Sequence, residues 1–119
     1  MIDHISISIS DFSISKRFYI TALAPLGLHV VGEDDGWIGF GKNQQGVFWF
    51  GVGDTPLQPM HIAYTAGSRA CVDSFYAAAL SAGGQCNGPP GIRKRYHPNY
   101  YAAFVLDPDG HNVEAVCHF

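Results

Sequence analysis

A chain of 119 residues, 47 % of them hydrophobic and 14 % charged, forms one compact domain or two small fused units, and it is not disordered. Its net charge of -3 removes the electrostatic basis for nucleic acid or an anionic membrane as partner. No apolar run approaches the ~20 residues that span a bilayer, and the N-terminus lacks the basic-then-apolar pattern of a signal peptide. Three cysteines, odd in number and without metal-type spacing, are read as reduced thiols, which predicts a cytoplasmic location.

Residues 2–10 alternate strictly, with Ile2, Ile5, Ile7 and Ile9 apolar and His4, Ser6, Ser8 and Ser10 polar. Period-two alternation predicts a strand with one face on the core. His4 and the serines face away from it, a surface uncharged enough to suit a polar cavity. Asp11 or Ser13 caps a helix running to about Ala24 and stopped by Pro25, with Ile14, Phe18, Ala22 and Leu23 as its buried stripe. Strands follow at 28–31, 37–41 and 47–52, the first two separated by an acidic glycine turn at 33–36. Gly53 to Pro59 is rich in turn formers and reads as a linker. The order then restarts with a strand at 60–65 and a helix from Arg69 to Ala82, capped by Ser68 and ended by Gly83-Gly84. A Gly- and Pro-rich loop with the basic cluster Arg93, Lys94 and Arg95 spans 85–99. Strands at 100–106 and 111–117 are joined by the turn Asp107-Pro108-Asp109-Gly110.

The restart is a repeat. His4 precedes Phe18 by the same interval as His61 precedes Phe75, and at this offset of 57 Ile5 matches Ile62, Phe18-Tyr19 matches Phe75-Tyr76, and Ala22-Leu23 matches Ala79-Leu80. The expected architecture is therefore α+β, with two βαβββ modules at 1–53 and 60–119 and a linker at 54–59.

The repeat puts His4 and His61 at equivalent positions, where a pseudo-two-fold axis would bring them to one point. Glu114 shares its strand face with Asn112 and Val116. Flanked by Val113 and Ala115, its carboxylate needs a cation or strong donors if buried. Two imidazoles and one carboxylate are a usual ligand set for a catalytic divalent metal, with positions left open for water or substrate. Tyr96, His97 and Tyr100 are candidates for proton transfer. Trp49, Arg93 and Tyr101 are candidates for substrate binding, Arg93 toward an anionic group. His111 follows the turn, points opposite to Glu114 and reads as non-ligating.

The opening Ile2-Asp3-His4-Ile5-Ser6-Ile7, the segment Met60-His61-Ile62-Ala63 and the ending Asp107-Pro108-Asp109-Gly110-His111-Asn112-Val113-Glu114 resemble the vicinal oxygen chelate superfamily. That group covers glyoxalase I, extradiol dioxygenases, fosfomycin-resistance thiol transferases and bleomycin-binding proteins. The resemblance implies paired βαβββ modules, curved mixed sheets around a cavity, and often a homodimer. It implies one divalent ion (zinc, manganese, nickel or iron) on His4, His61 and Glu114, acting on a small oxygen-bearing substrate as lyase, isomerase or dioxygenase. Glyoxalase I adds a glutamate on the last strand of the first module. The equivalent here is Trp49, which argues against that activity. The other reading is a metal-free protein that sequesters a small molecule in an aromatic cleft.

Overall fold

The computed structural model describes residues 1–53 and 57–119. The chain order is β1 (Ile5–Ser8), α1 (Phe12–Leu23), a 3-10 turn (Ala24–Leu26), β2 (His29–Asp34), β3 (Trp37–Lys42), β4 (Gln45–Gly51), β5 (His61–Thr65), α2 (Arg69–Ser81), β6 (Gln85–Ile92), β7 (Tyr101–Leu106) and β8 (Asn112–Cys117). The strands form two four-stranded mixed sheets, β1-β4-β3-β2 and β5-β8-β7-β6. In each, the first strand of the module runs parallel to the last and the other pairings are antiparallel. This is the α+β, two-module architecture the repeat predicts. Residues 54–56 of the predicted linker lie outside the described residues.

The duplication is carried into the caps. Asp11 accepts from the Ile14 amide and Ser68 from the Cys71 amide, one capping bond at the same point of each module. The cap is thus Asp11 and not Ser13.

Three expectations change. The buried face of α1 carries Ser15, Phe18, Tyr19, Ala22 and Leu23, while Ile14 is exposed. The helix is turned so that Tyr19 packs its ring on Phe48 and Phe50, at centroid distances of 4.9 and 5.2 Å. β2 begins at His29 and extends through Asp34, so the turn shrinks to Asp35 and Gly36. The predicted loop 85–99 opens with a strand, β6. Because β6 is an edge strand, the missing N–H groups of Pro89 and Pro90 break no ladder, and its register shifts around Gly88 absorb them.

One face of each sheet packs on the helices. Ile7, Ile38, Phe40, Phe48 and Phe50 from the first sheet and Tyr64, Val105, Val113 and Ala115 from the second join Phe18, Val72 and Phe75 in one core. The modules are also tied by polar contacts. The Tyr19 hydroxyl donates to Asp107 Oδ2 at 2.6 Å. His111, fully buried, accepts from the Met60 amide at 2.9 Å and bonds the Ser8 carbonyl at 3.1 Å. His111 therefore holds modules together.

Burial, followed by the negative charge of Asp107, pushes the Tyr19 and Tyr64 hydroxyls well above the usual tyrosine range. A phenol whose pKa is raised on folding contributes stability that is fully present below the unfolded value of about 10 and is lost as pH rises past it. The urea midpoint is therefore expected to fall between pH 9 and pH 11. Tyr64→Phe should flatten that fall. The Tyr64 hydroxyl is buried without a hydrogen-bond partner among the described residues, so this variant should be no less stable than the parent at pH 8. An equally steep fall in the variant would contradict the assignment to Tyr64.

Candidate functional site

The opposite face of each sheet carries the candidate site residues. On β8, Val113, Ala115 and Cys117 belong to the core, so Asn112, Glu114 and Val116 face away from the helices. On β5, Tyr64 points to the core and His61 away from it. Pairing of Ala63 with Glu114 places His61 one step diagonally from the carboxylate. His61 Nε2 lies 2.8 Å from Glu114 Oε2. The Tyr100 hydroxyl donates to Glu114 Oε1 at 2.5 Å.

Glu114 is 2 % exposed, whereas the His61 side chain is 54 % exposed. The site is thus a buried carboxylate whose two partners both reach solvent. Tyr100 is pushed up to about 12 by desolvation, then by its hydrogen bond to Glu114 and the carboxylate charge. At neutral pH it is a phenol that keeps its proton and donates it in a hydrogen bond to Glu114.

The neighbours are aromatic. Phe104 pairs with Glu114 across β7 and β8, and its ring centroid lies 6.2 Å from that of His61. Tyr96 and His97 pack against Tyr100 at 4.7 and 5.4 Å. His97 Nδ1 accepts from the Asn99 amide, and its Nε2 lies 2.8 Å from His118 Nδ1. Of the sequence candidates, His61 and Tyr100 bond the Glu114 carboxylate, and Tyr96 and His97 pack against Tyr100. Two neighbours of the cluster, Phe104 and His118, are not among the sequence candidates. Phe104 was in principle recoverable, because the turn 107–110 fixes which residue of β7 opposes Glu114.

Tyr101 is not part of the group. Alternation sends it to the helix side, where its hydroxyl donates to Asp73 Oδ1 at 2.7 Å and Arg69 lies over its ring. Tyr100, just before β7, and Tyr101, its first residue, thus serve opposite faces.

His4 stands on the corresponding face of the first sheet. It lines an open cleft of about 580 Å³ together with Asp3, Ser6, Trp37 and Trp49. Its Nδ1 bonds Asp3 Oδ1 at 2.6 Å, and its Nε2 has no hydrogen-bond partner among the described residues. Trp49 pairs with Ser6 as Glu114 pairs with Ala63, and Ser6 and Ala63 are equivalent in the repeat. The register thus makes Trp49 the counterpart of Glu114. Its indole lies flat on Gly39 and Gly46, where a Cβ would come within 2.5 and 2.6 Å of the ring. Where the second module has a carboxylate, the first has an aromatic wall.

Among the described residues, no three His, Cys, Asp or Glu side chains come together closely enough to hold a metal ion. Within one chain, His61 and Glu114 meet and His4 does not join them.

This fold and this pairing of sites define a two-module glyoxalase-like domain. The sequence profile of the Glyoxalase/Bleomycin resistance protein/Dioxygenase superfamily matches residues 1–115, and the chain belongs to that superfamily. Its structure is similar to that of a glyoxalase/bleomycin resistance protein from Albidiferax ferrireducens T118, with a TM-score of 0.85, 27 % identity and 96 % of each chain covered. It is also similar to a glyoxalase-related enzyme from Fulvimarina pelagi (TM-score 0.77, 23 % identity, 98 % of this chain and 86 % of that one). A third similar structure is the oxidase ChaP-H2 (TM-score 0.67, 19 % identity, 98 % and 91 %). Among curated proteins none is detectably similar in sequence. No helix among the described residues is long and apolar enough to cross a membrane.

Proposed function

We propose that this chain is a divalent-metal-dependent enzyme of the superfamily, acting on a small oxygen-bearing substrate. The observation that carries the reading is Glu114, a carboxylate buried beside an imidazole on a face lined by aromatic rings. Burying such a group costs stability, and a protein retains it where its charge is used.

The donor chemistry fits a metal. His61 Nε2 and Glu114 Oε2 lie side by side. His4 has Nδ1 engaged by the Asp3 carboxylate and Nε2 uncommitted, the arrangement by which an outer carboxylate fixes the tautomer of a ligating histidine. His61 and Glu114 of one chain and His4 of a second copy would complete the set, which makes the functional form a homodimer in the cytoplasm. A zinc, manganese, nickel or iron ion held there supplies Lewis acidity toward a carbonyl or hydroxyl oxygen. This chain's own groups then divide the remaining work. Tyr100 directs its hydroxyl proton at Glu114 Oε1, available to a substrate oxygen once the carboxylate is otherwise engaged. Phe104 walls the second sheet, and Trp37 and Trp49 wall the first. The structures named as a glyoxalase-related enzyme and an oxidase support catalysis on this fold.

The size and tryptophan lining of the first-sheet cleft favour a second reading, metal-free sequestration of a small molecule. Metal content separates the two. Protein purified without chelators is expected to hold about one ion per site. His4→Ala, His61→Ala and Glu114→Ala should each lower occupancy more than about tenfold, since even loss of an outer-shell partner weakens metal affinity about 10–100-fold. Sedimentation should show a dimer. Metal-free parent protein, or occupancy unchanged in all three variants, would overturn the enzyme reading. Hemithioacetals and catechols, tested with and without oxygen, then sort isomerase from dioxygenase.

A further inference from the structure

Beside the carboxylate centre, on the same face of the second sheet, lies a separate cleft of about 280 Å³ lined by Arg93, Arg95, Tyr96, Phe104 and Asn112. We propose that it is an anion subsite that makes the substrate a small hydroxylated aromatic carboxylate. The inference rests on the site reading above for which end of the substrate reacts, and on this cleft alone for which end is held.

Three features point to that ligand. The first is charge without a partner. Among the described residues Arg93 and Arg95 form no ion pair, the bonds within 4.0 Å being His4 to Asp3, Lys16 to Glu33 and His61 to Glu114. Arg93 is not a loose surface cation. Its two terminal nitrogens donate to the Gly91 and Pro89 carbonyls at 2.9 and 2.6 Å, and its guanidinium lies over the Phe104 ring at 5.3 Å. Those bonds use two of its five N–H groups. The remainder stay available in a fixed orientation suited to a planar oxyanion.

The second feature is an orphan. Asn112 Oδ1 is buried with no hydrogen-bond partner among the described residues. A buried acceptor left unmatched is costly, so it asks for a donor from the ligand. The terminal torsion of asparagine is soft, so the amide can turn toward an occupant of the cleft. A hydroxyl on the ligand meets this need.

The third is the aromatic floor. Phe104 touches both sites, with Arg93 over its ring and His61 6.2 Å away. Gly88 lets Arg93 and Phe104 approach this closely, because a Cβ there would lie 3.0 Å from Phe104 Cδ1 and 3.1 Å from Arg93 Nη2. Asn112 is opposite His61 in the β5–β8 register and two residues from Glu114 on one face. A ring on Phe104, with its carboxylate on the arginines, directs its other edge toward His61 and Glu114.

The test is calorimetric and NMR titration of the full chain with 3-hydroxybenzoate, 3-hydroxybenzyl alcohol and benzoate, each with and without chelator. 3-Hydroxybenzoate is expected to bind about tenfold more tightly than the alcohol, the scale of one charge-assisted contact, and to shift the amides of Arg93, Phe104 and Asn112. Arg93→Gln should abolish that preference. Since Arg93 also holds backbone carbonyls, Arg95→Gln is the companion variant, and it should weaken binding about threefold with the fold intact. Asn112→Ala should erase the advantage over benzoate. Persistence of the carboxylate preference after chelation separates this subsite from the metal, so a metal-free protein leaves the proposal standing. Equal affinity for acid and alcohol, loss of all binding on chelation, or full affinity in both arginine variants would overturn it.

Discussion

Replacing Asp107 by alanine is expected to destabilise the protein by about 3–5 kcal/mol, the range for stripping the partner from several buried polar groups at once. Asp107 is 5 % exposed and sits where the β7–β8 turn meets the first module. Its Oδ1 accepts from the amides of Asp109 and His111 at 2.9 and 2.8 Å, and its Oδ2 accepts from the Tyr19 hydroxyl at 2.6 Å. Alanine strands the Tyr19 hydroxyl, on a side chain 1 % exposed, and the amide of the equally buried His111. Neither can turn to water. Asp107→Asn keeps one acceptor and should lose about half as much. Tyr19→Phe leaves the carboxylate its two amides and should cost about 1–2 kcal/mol. In a double-mutant cycle the two losses should fall short of additive, because each removes the same bond. Urea unfolding measures all four. A loss below about 1 kcal/mol for Asp107→Ala would show that the modules do not depend on this junction.

The architecture was legible because duplication repeats local signals. Strict alternation marked β1, equal spacing from His4 to Phe18 and from His61 to Phe75 set the module length, and the two caps fall at the same offset. The equivalence of Trp49 and Glu114 follows from counting along the last strand of each module, and the β1–β4 and β5–β8 registers support it. What escaped was what depends on third parties. The rotation of α1 is decided by Tyr19 reaching both the Phe48–Phe50 cluster and Asp107, a residue 88 positions away. β6 escaped because prolines and glycines signal a loop unless the strand is known to be an edge. At the site, Glu114 could be assigned a burial cost from its neighbours, yet its bond to Tyr100 comes from a residue just outside β7, where alternation is not informative. His4 shows the other limit. Its position in the repeat is plain, but within one chain the fold does not bring it to Glu114.

Glu114→Leu, measured with a chelator present so that metal binding adds nothing to the native state, is expected to raise stability by about 1–2 kcal/mol, as replacing a buried ionic group by an apolar one of similar volume often does. The sign is opposite to that at Asp107 although both residues are buried acids accepting hydrogen bonds. The difference lies in their partners. His61 is largely exposed and Tyr100 opens to solvent, so both can bond water when the carboxylate is gone. The leucine would meet Phe104, Val116 and Ala63 on the same face, all apolar. Glu114→Gln should fall between parent and leucine variant, since it removes the charge and keeps a polar group in place. A loss of more than about 1 kcal/mol in Glu114→Leu would make the carboxylate a structural group. A gain, together with loss of bound metal, would mean that this chain gives up stability at one residue to keep a charged acceptor beside His61, as proteins do where a group serves binding rather than folding.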